Sequence, residues 1–517
     1  MINQERADPA VGIDLGTTFS VVAWIDGQGR PETIPNAEGE RLTPSVVFFD
    51  GEEAVVGREA VKAFSLDPNQ AAECSKRDVG SPIYHKIIQG KRYPPEVIEA
   101  FILNKLRRDA AAHLGEFSRV VITVPAYFDE VRRKATQDAG YMAGLEVIDI
   151  INEPVAAALA SAYESGYLDR PGPRDRPQHV LVYDLGGGTF DVTVMEIRGR
   201  EYITLAIDGD VRLGGWDWDQ RLVDLAAEAF IRRHGIDPRE DPRGWGKLWR
   251  ECEEAKRSLS ARQRVLVPFE FQGKSVEIEL LRSAFEEATK DLLDRTRFTT
   301  VQALKAAGLH WQEIDRVLLV GGSSRMPMVR TMLRELSGKE PESVVAADEA
   351  VAWGAALHAK RRIDKARGTP AAFRVRNVNS HSLGVVGRDP LTKRRRVGVV
   401  IPRNTRLPVS AKRRFRTSHA GQRSILVEIV EGESAFPEDC SAIGRVTVAN
   451  LPPDLPAKSP VDVVFHYEAN GRLRVKVVVP DTAAEAGGEF SRETGLPKEH
   501  LDGWRRYISG KEPTGYR

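Results

Sequence analysis

Two glycine-rich turns constrain the fold of this chain more than any other feature of its sequence. Residues 11–24 read VGIDLGTTFSVVAW, and residues 181–194 read LVYDLGGGTFDVTV, about 170 positions later. Each stretch has an apolar run, Asp-Leu, a glycine and threonine turn, and a second apolar run. Because strand interiors disfavour glycine, each stretch predicts two strands joined by a turn that something approaches closely. Two matched copies predict two lobes of similar design, with a ligand held between their turns.

The chemistry of both turns suits a polyphosphate. Glycines remove Cβ atoms, so backbone N–H groups can approach an anion, and the threonine hydroxyls add further donors. Asp184 and Asp191 bracket the second turn and would repel phosphate unless a hard cation such as Mg²⁺ lies between them. For one copy alone, an ordinary tight hairpin remains an equal alternative, but the repeat disfavours it.

Length and composition indicate a soluble, multidomain protein. The 517 residues predict two to four domains. Lys and Arg number 75 against 74 Asp and Glu, so the net charge of +1 gives no general indication of nucleic acid or membrane binding. Three widely spaced cysteines, Cys74, Cys252 and Cys440, fit a reducing compartment and no disulfide framework or zinc site. With neither a leader pattern nor a membrane span, the expected location is the cytoplasm.

The pattern of helices and strands changes near residue 366. Before it, the two types alternate and predict an α/β architecture; first-turn prolines and terminal glycines predict helices over 94–115 and 152–166. Residues 366–380 are interpreted as a linker. Residues 381–480 contain short alternating runs with a hairpin turn at Asn470-Gly471, which predicts an all-β module. Residues 481–517 are expected to form a short, loosely ordered tail with at most one short helix.

Further stretches carry a resemblance to a known family. In chain order they are RLTPSVVFF, VITVPAYFDEVRRKATQDAG, GLEVIDIINEPVAAALA, LGGWDWDQRLV, ECEEAKRSLS, VLLVGGSSRMPMV and ADEAVAWGAA, followed in the β module by NTRLP, VEIVEGE and IGRVTVANLPP. The chain resembles the Hsp70 (DnaK-type) molecular chaperones over about residues 10–480. The resemblance implies an actin-like, duplicated ribonuclease-H-like, two-lobed ATPase domain over 1–365, followed by a β-sandwich peptide-binding domain. ATP hydrolysis would control the binding of extended apolar segments of unfolded proteins.

The resemblance also implies residues for ATP or ADP binding and hydrolysis. The first phosphate loop would comprise Gly16, Thr17 and Thr18, and the second Gly186, Gly187, Gly188 and Thr189. Asp14 and Asp184 would hold Mg²⁺, mostly through waters, and K⁺ is a further expected cation. Lys76 matches the lysine that places the attacking water. Glu153, Asp191 and Thr189 would complete the catalytic set, with Asp184 or Asp191 accepting the proton.

The resemblance assigns the nucleoside to two segments. Glu253, Lys256, Arg257 and Ser260 match the adenosine-binding set, and their spacing places them on one helical face. From the residues alone, an ordinary solvated face is the favoured interpretation. Gly321, Gly322, Ser323 and Arg325 would cover the base, with Asp348 nearby.

For the β module, the resemblance implies a peptide pocket at Ile425 with Val385, Phe415 and Val427 around it, although these residues also suit an ordinary sandwich core. Pro125 and Arg133 match positions that relay the nucleotide state. A J-domain co-chaperone and a nucleotide-exchange factor are the implied partners.

The sequence departs from the family in several places, including a segment between Lys76 and Tyr93 that is much shorter than in the family and implies a trimmed part of the first lobe. Asp149 reverses a basic charge at the J-domain contact, which puts that partner in doubt. The linker stretch FRVRNV (373–378) has arginines at leucine positions, so coupling is expected to be altered or weak. No helical lid pattern follows residue 480, which predicts fast peptide exchange.

A basic region from 371 to 430 is not explained by the resemblance. It holds 14 Lys and Arg against Asp389 and Glu428 alone. A solvated surface and an acidic client, partner or nucleic acid both stay open. Two rival functions also stay open: a non-hydrolysing, nucleotide-dependent regulatory or interaction protein on this fold, and a filament-forming or sugar-kinase relative.

Overall fold

The architecture is two α/β lobes followed by a β-sandwich, as the sequence predicts. The computed structural model describes residues 9–166, 168, 176–344, 347–389, 391–468, 472–480, 482, 484–490 and 496–510. The predicted turn at Asn470-Gly471 lies outside the described residues. None of the helices in the described parts of the chain combines the length and apolar composition that a membrane span requires.

The first lobe contains nine strands and four helices among the described residues. In chain order they are β1 (Val11–Asp14), β2 (Phe19–Ile25), β3 (Pro31–Ile34), β4 (Thr43–Pro44), β5 (Val47–Asp50), β6 (Glu53–Val56), α1 (Arg58–Phe64), β7 (Ala71–Ala72), α2 (Pro95–Leu114), β8 (Arg119–Val124), α3 (Glu130–Met142), β9 (Glu146–Asn152) and α4 (Glu153–Glu164). The predicted helices over 94–115 and 152–166 correspond to α2 and α4, and both have proline in the first turn.

The second lobe follows the same plan. Its elements are β10 (Gln178–Leu185), β11 (Phe190–Arg198), β12 (Glu201–Asp210), α5 (Gly215–His234), α6 (Pro242–Ala261), β13 (Arg264–Phe271), β14 (Lys274–Leu281), α7 (Arg282–Ala288), α8 (Lys290–Ala306), β15 (Arg316–Val320), α9 (Pro327–Ser337), β16 (Glu342–Ser343) and α10 (Ala350–Ala366).

The two main sheets confirm the duplication that the glycine turns predict. The first has the order β3-β2-β1-β8-β9, and the second β12-β11-β10-β15-β16. In both, three antiparallel strands come first in the chain, and parallel strands then extend the sheet from the first of them. Each glycine turn joins the first two strands of its sheet, so both turns occupy equivalent positions in their lobes.

The linker adds a strand to the second lobe. The strand β17 (Arg374–Arg376) pairs in parallel with β12, in the register Glu201 to Arg374 and Ile203 to Arg376. Phe373 is buried beside Tyr202, and the Arg361 Nε donates to its carbonyl oxygen at 3.0 Å. The stretch FRVRNV is therefore docked on the ATPase domain despite its arginines.

The β module is a sandwich of two four-stranded sheets. The strands are β18 (Leu383–Arg388), β19 (Arg395–Ile401), β20 (Val409–Arg416), β21 (Ile425–Glu431), β22 (Ser441–Val448), β23 (Pro460–Tyr467), β24 (Leu473–Val478) and β25 (Glu485–Phe490). One sheet has the order β19-β18-β21-β22 and the other β20-β23-β24-β25, and apolar residues of both fill one core.

The segment after residue 480 differs from the expected loose tail. β25 pairs with β24 and so continues the sandwich, and helix α11 (Lys498–Ile508) packs on α2 and α3 of the first lobe. Leu501 and Ile508 are buried there, and Trp504 and Tyr507 contact the rings of Tyr93 and Phe101. Burial of this apolar face fixes the helix, so the prediction of a loosely ordered tail is wrong for these two segments.

Candidate functional site

A cavity of about 430 Å³ opens between the two lobes, with both glycine turns at its centre. Nearly all the residues that the sequence proposes for the nucleotide line it. They are Asp14, Gly16, Thr17, Thr18, Lys76, Glu153, Asp184, Gly186, Gly187, Thr189, Glu253, Lys256, Arg257, Ser260, Gly321, Gly322, Ser323, Arg325 and Asp348. Of the proposed set, Gly188 and Asp191 do not line the cavity, and both lie directly behind it.

The two turns face each other in contact, which explains two of their glycines. A Cβ atom at Gly187 would lie 2.0 Å from the Thr18 Oγ1, and one at Gly188 would lie 2.5 Å from the Thr17 Cγ2. Any larger residue would force the turns apart. Gly188 therefore allows the two loops to approach closely, although it does not itself line the cavity.

Four carboxyl groups lie close together beneath the turns: Glu153, Asp184 and Asp191, which are buried, and Asp14, which is half-buried. Asp184 and Asp191 are directly paired across β10 and β11. Burial and Glu153 raise the pKa of Asp14 to about 7 and that of Asp191 to about 8. Burial, Glu153 and Asp191 raise the pKa of Asp184 well above its usual range. The pocket thus concentrates negative charge in a desolvated place.

Lys76 is the cation among these groups. It lies in a short 3₁₀ turn (Ser75–Arg77), is 4% exposed, and donates to the Leu15 carbonyl oxygen and Glu153 Oε1. Burial opposes its charge, but Glu153 and Asp14 outweigh burial and hold its pKa above the usual value. Lys76 is therefore a fixed ammonium group at the floor of the cavity.

The charge of this pocket fits a hard cation. One ammonium group faces four carboxyl groups, and a divalent ion would remove the cause of their raised pKa values. No group of three His, Cys, Asp or Glu side chains in the described part of the chain is arranged to coordinate a metal directly. The residues therefore suit an ion held partly by water and phosphate oxygens, and not a closed protein site.

The α6 face forms one wall of the cavity. Lys256 donates to Asp219 Oδ2 at 2.6 Å and to the Gly215 carbonyl oxygen at 3.0 Å. Arg257 pairs with Glu253 at 2.6 Å, and its guanidinium lies over the Phe19 ring. Lys256 and Glu253 are only 12% and 14% exposed at their side chains, so this is not the ordinary solvated face that spacing alone favoured.

The turn after β15 forms the opposite wall. Gly321 has φ 79°, and a Cβ atom there would lie 2.4 Å from the Leu185 carbonyl oxygen. Arg325, two residues beyond Ser323, pairs with Asp348 at 2.7 Å. These contacts hold the 321–325 turn against the second glycine turn, with Arg325 at the mouth of the cavity.

Some residues of the site were not expected from the sequence. The Thr123 hydroxyl donates to Asp14 Oδ1 at 2.9 Å, and nothing in its buried strand distinguishes it. Arg250 joins Glu73 and Glu253, and Asp219 holds Lys256. The sequence contains a signal for Arg250 and for Asp219. Arg250 precedes Glu253 by three positions on one helix, and Asp219 lies in LGGWDWDQRLV.

The four residues proposed for peptide binding lie together in the sandwich. Val385, Ile425 and Val427 are buried in its core, and Phe415 packs at the margin of that core. The Arg413 guanidinium lies over the Phe415 ring at 5.7 Å. Their grouping suits both a peptide pocket and a sandwich interior.

A short turn after β8 connects the nucleotide cavity to the start of the sandwich. Pro125 begins it, and Arg133 braces it by donating to the Phe128 carbonyl oxygen and to Asn152 Oδ1. Within the turn, the Tyr127 N–H donates to Asp191 Oδ1 at 2.8 Å, and the Tyr127 carbonyl oxygen lies 2.9 Å from His381 Nε2. The main chain of Tyr127 therefore touches both the acidic pocket and the first residue of the sandwich domain.

Asp149 lies on the same side of the first lobe, paired with α10. Its Oδ2 is 2.9 Å from His358 Nε2 and 3.3 Å from Arg362 Nε. Burial opposes its ionisation, but His358 and Arg362 outweigh burial and keep its pKa below the usual value. The reversed charge is thus balanced within the molecule.

Comparison with known proteins agrees with this geometry. The profile described as "Hsp70 protein" matches residues 10–505. The chaperone protein DnaK of Thermotoga neapolitana is 41% identical over 480 residues, covering 91% of this chain and 78% of that protein. The chaperone protein DnaK of a Thermus thermophilus strain is 40% identical over 523 residues, covering 95% and 82%. With its duplicated lobes and β-sandwich, the chain belongs to the Hsp70 family.

Proposed function

We propose that this chain is an ATP-dependent molecular chaperone of the Hsp70 type. It hydrolyses ATP between the two lobes and thereby controls how the sandwich binds extended apolar segments of unfolded proteins. The observation that carries the proposal is the pair of facing glycine turns above a buried Lys76 and its carboxyl groups. Family membership and the DnaK relatives support the same activity.

Mg²⁺ is the metal that we propose for the site. Asp14 and Asp184 would hold it through waters, because both carboxyl groups have raised pKa values that a cation would lower. When bound, Mg²⁺ neutralises phosphate charge. K⁺ is expected from the resemblance alone and stays a prediction.

The residues of the pocket have separate roles in phosphate binding and hydrolysis. Backbone N–H groups of the two turns, with Thr17, Thr18 and Thr189, would bind phosphate oxygens. The Lys76 ammonium group, fixed by Glu153, would orient the attacking water. Asp184 or Asp191, which are paired across β10 and β11, would accept the proton. Such chemistry depends mostly on positioning.

Partners and location follow the family. Unfolded, apolar peptide segments are the proposed clients. A J-domain co-chaperone and a nucleotide-exchange factor stay predictions, and so does the cytoplasmic location indicated by the cysteine content. The three cysteines are unpaired.

Single-turnover hydrolysis tests the proposal against the non-hydrolysing rival. We expect Lys76→Ala to bind ATP but to slow hydrolysis by about 100-fold or more, as for loss of a principal charge at a reacting group. Lys360→Ala, on the exposed face of α10, is the matched control. Equal hydrolysis by wild type and Lys76→Ala would favour the rival function.

Peptide binding with ATP or ADP tests the coupling. Fluorescence anisotropy of a labelled apolar peptide should give a lower affinity with ATP than with ADP. An affinity that is independent of the nucleotide would contradict the coupled mechanism.

A further inference from the structure

The positive charge of the chain is concentrated in the sandwich. Residues 381–480 contain 17 Lys and Arg against 9 Asp and Glu, whereas the whole chain is nearly balanced. A charge excess in one domain is usually a solvated surface. Whether the charge excess of the sandwich has a role in binding therefore depends on where it lies relative to the proposed peptide site.

The excess gathers where the two sheets of the sandwich meet. β19 is the edge strand of one sheet and β20 that of the other. Arg413 on β20 donates to the Val399 carbonyl oxygen on β19, and a Cβ atom at Gly398 would lie only 2.9 Å from the Phe415 ring. We call this seam of adjacent strands the basic edge. Gly398 is also the strand partner of Val385, so the basic edge borders the proposed peptide residues.

Internal carboxylates balance only part of the basic edge. Glu428 pairs with Arg395, and Asp462 pairs with both Lys412 and Arg414. Four exposed arginines remain, for which no described carboxylate lies within ion-pair distance: Arg394, Arg396, Arg413 and Arg416. Their charges are available to a partner.

Apolar groups are exposed beside these arginines. Leu391 is 92% exposed in the turn before β19, and Phe436, under the Arg396 guanidinium, is 44% exposed. Val399 is 37% exposed at the centre of β19. A nucleic acid would satisfy the arginines and leave the aliphatic groups uncovered. A peptide with both apolar and acidic residues would satisfy both.

We propose that the sandwich selects extended segments whose apolar centre is flanked by aspartate or glutamate. The inference rests on the proposed peptide binding, and specifies its substrate class. The apolar centre would occupy the sandwich site, and the flanking carboxylates would meet the free arginines of the basic edge.

The test compares three labelled peptides with one apolar heptapeptide core. Their flanks carry Glu, Lys or Ser residues, and anisotropy gives their affinities for the full chain with ADP at 50 mM and 500 mM salt. We expect the Glu-flanked peptide to bind about tenfold more tightly than the Lys-flanked peptide at low salt, because several exposed ion pairs each contribute modestly. Salt screens these pairs, so the ratio of affinities should fall to about threefold or less at high salt. Binding of all three with equal affinity would overturn the inference and leave peptide binding intact. Binding of none would overturn the proposed function itself.

Two charge-matched variants locate the effect. Arg394→Gln with Arg396→Gln should reduce the preference for Glu flanks by about threefold or more while the Ser-flanked peptide binds as before. Arg474→Gln with Lys476→Gln removes the same charge from β24, within the other sheet, and should change nothing. If both variants lose the preference alike, net charge and not the basic edge is responsible. A single-stranded RNA that displaces the Glu-flanked peptide more effectively than the unlabelled peptide does would also overturn the inference.

Discussion

At the scale of single residues, the acidic pocket determines how the protein responds to pH. Asp14 and Asp191 have pKa values in the fold of about 7 and 8, far above the 3.8 of an unfolded aspartate. Each raised pKa contributes stability that is fully present below about pH 4 and is lost as pH rises through the folded pKa. Without a cation, the fold should therefore lose stability progressively from about pH 4 to about pH 8.

Asp14→Asn isolates this effect. The amide oxygen can still accept from Thr123, but the charge is gone. In EDTA at about pH 8, we expect the variant to gain about 1 kcal/mol or more over wild type, and to lose stabilisation by Mg²⁺ and ATP. Thermal unfolding measures both, with exposed Asp50→Asn as control. A wild-type pH dependence in Asp14→Asn would contradict the assigned pKa.

His381, the first residue of the sandwich domain, contacts the turn at Tyr127. Its Nε2 lies 2.9 Å from the Tyr127 carbonyl oxygen, and the two rings are 4.3 Å apart. We expect His381→Ala to reduce the effect of ATP on peptide affinity about fivefold, the value of one hydrogen bond of about 1 kcal/mol. His466→Ala on exposed β23 is the control. Anisotropy titrations with ATP and ADP measure the effect, and an unchanged ratio would remove His381 from the coupling path.

At the scale of elements, the linker strand carries the clearest prediction. Phe373 is 3% exposed, between Tyr202 and Arg361, and anchors β17 beside β12. Phe373→Ala should release β17 from β12, so that trypsin cleaves the main chain after its already exposed arginines at least about tenfold faster, while basal ATP hydrolysis is retained. Phe436→Ala, a partly exposed aromatic of the sandwich, is the control. Equal cleavage rates would show that Phe373 does not hold the linker.

Elements with local signals could be predicted from the sequence, and elements fixed by distant contacts could not. The caps of α2, the two glycine turns and the placement of Glu253 and Lys256 on one helical face follow from spacing alone, whereas the burial of that face does not. The docking of β17 did not follow from FRVRNV, because strand pairing uses backbone groups that arginine also supplies. Thr123 could not be found, because only the fold brings it to Asp14.

At the scale of the whole molecule, α11 joins the end of the chain to its first lobe. The sequence of α11 contains an apolar face, but its packing partner α2 lies about 400 residues earlier in the chain. No local sequence pattern predicts that these two helices pack together. The side chain of Asn104 on α2 donates to the Ile508 carbonyl oxygen at 3.2 Å, which also caps the contact. The helix therefore contributes to the core of the ATPase domain while following the sandwich in sequence.

Trp504→Ala tests that contribution. Removing a partly buried indole beside Tyr93 and Tyr507 should cost about 2 kcal/mol and lower the midpoint of thermal unfolding by roughly 2–4 °C. Calorimetry of the full chain measures the change, with exposed Glu499→Ala on the same helix as control. A Trp504→Ala variant as stable as wild type would mean that α11 rests on the lobe without stabilising it.

The main chain of Tyr127 has a consequence for mutational studies of this protein. Its N–H donates to Asp191 and its C=O lies against His381, while the Tyr127 ring separately contacts the His381 ring. Every residue except proline supplies the same two main-chain groups, so an alanine scan at position 127 would test the ring contact and pass over the main-chain contact, even if the main-chain contact were essential. Its importance would become visible only through chemistry that alters the main chain itself, such as replacement of the amide by an ester.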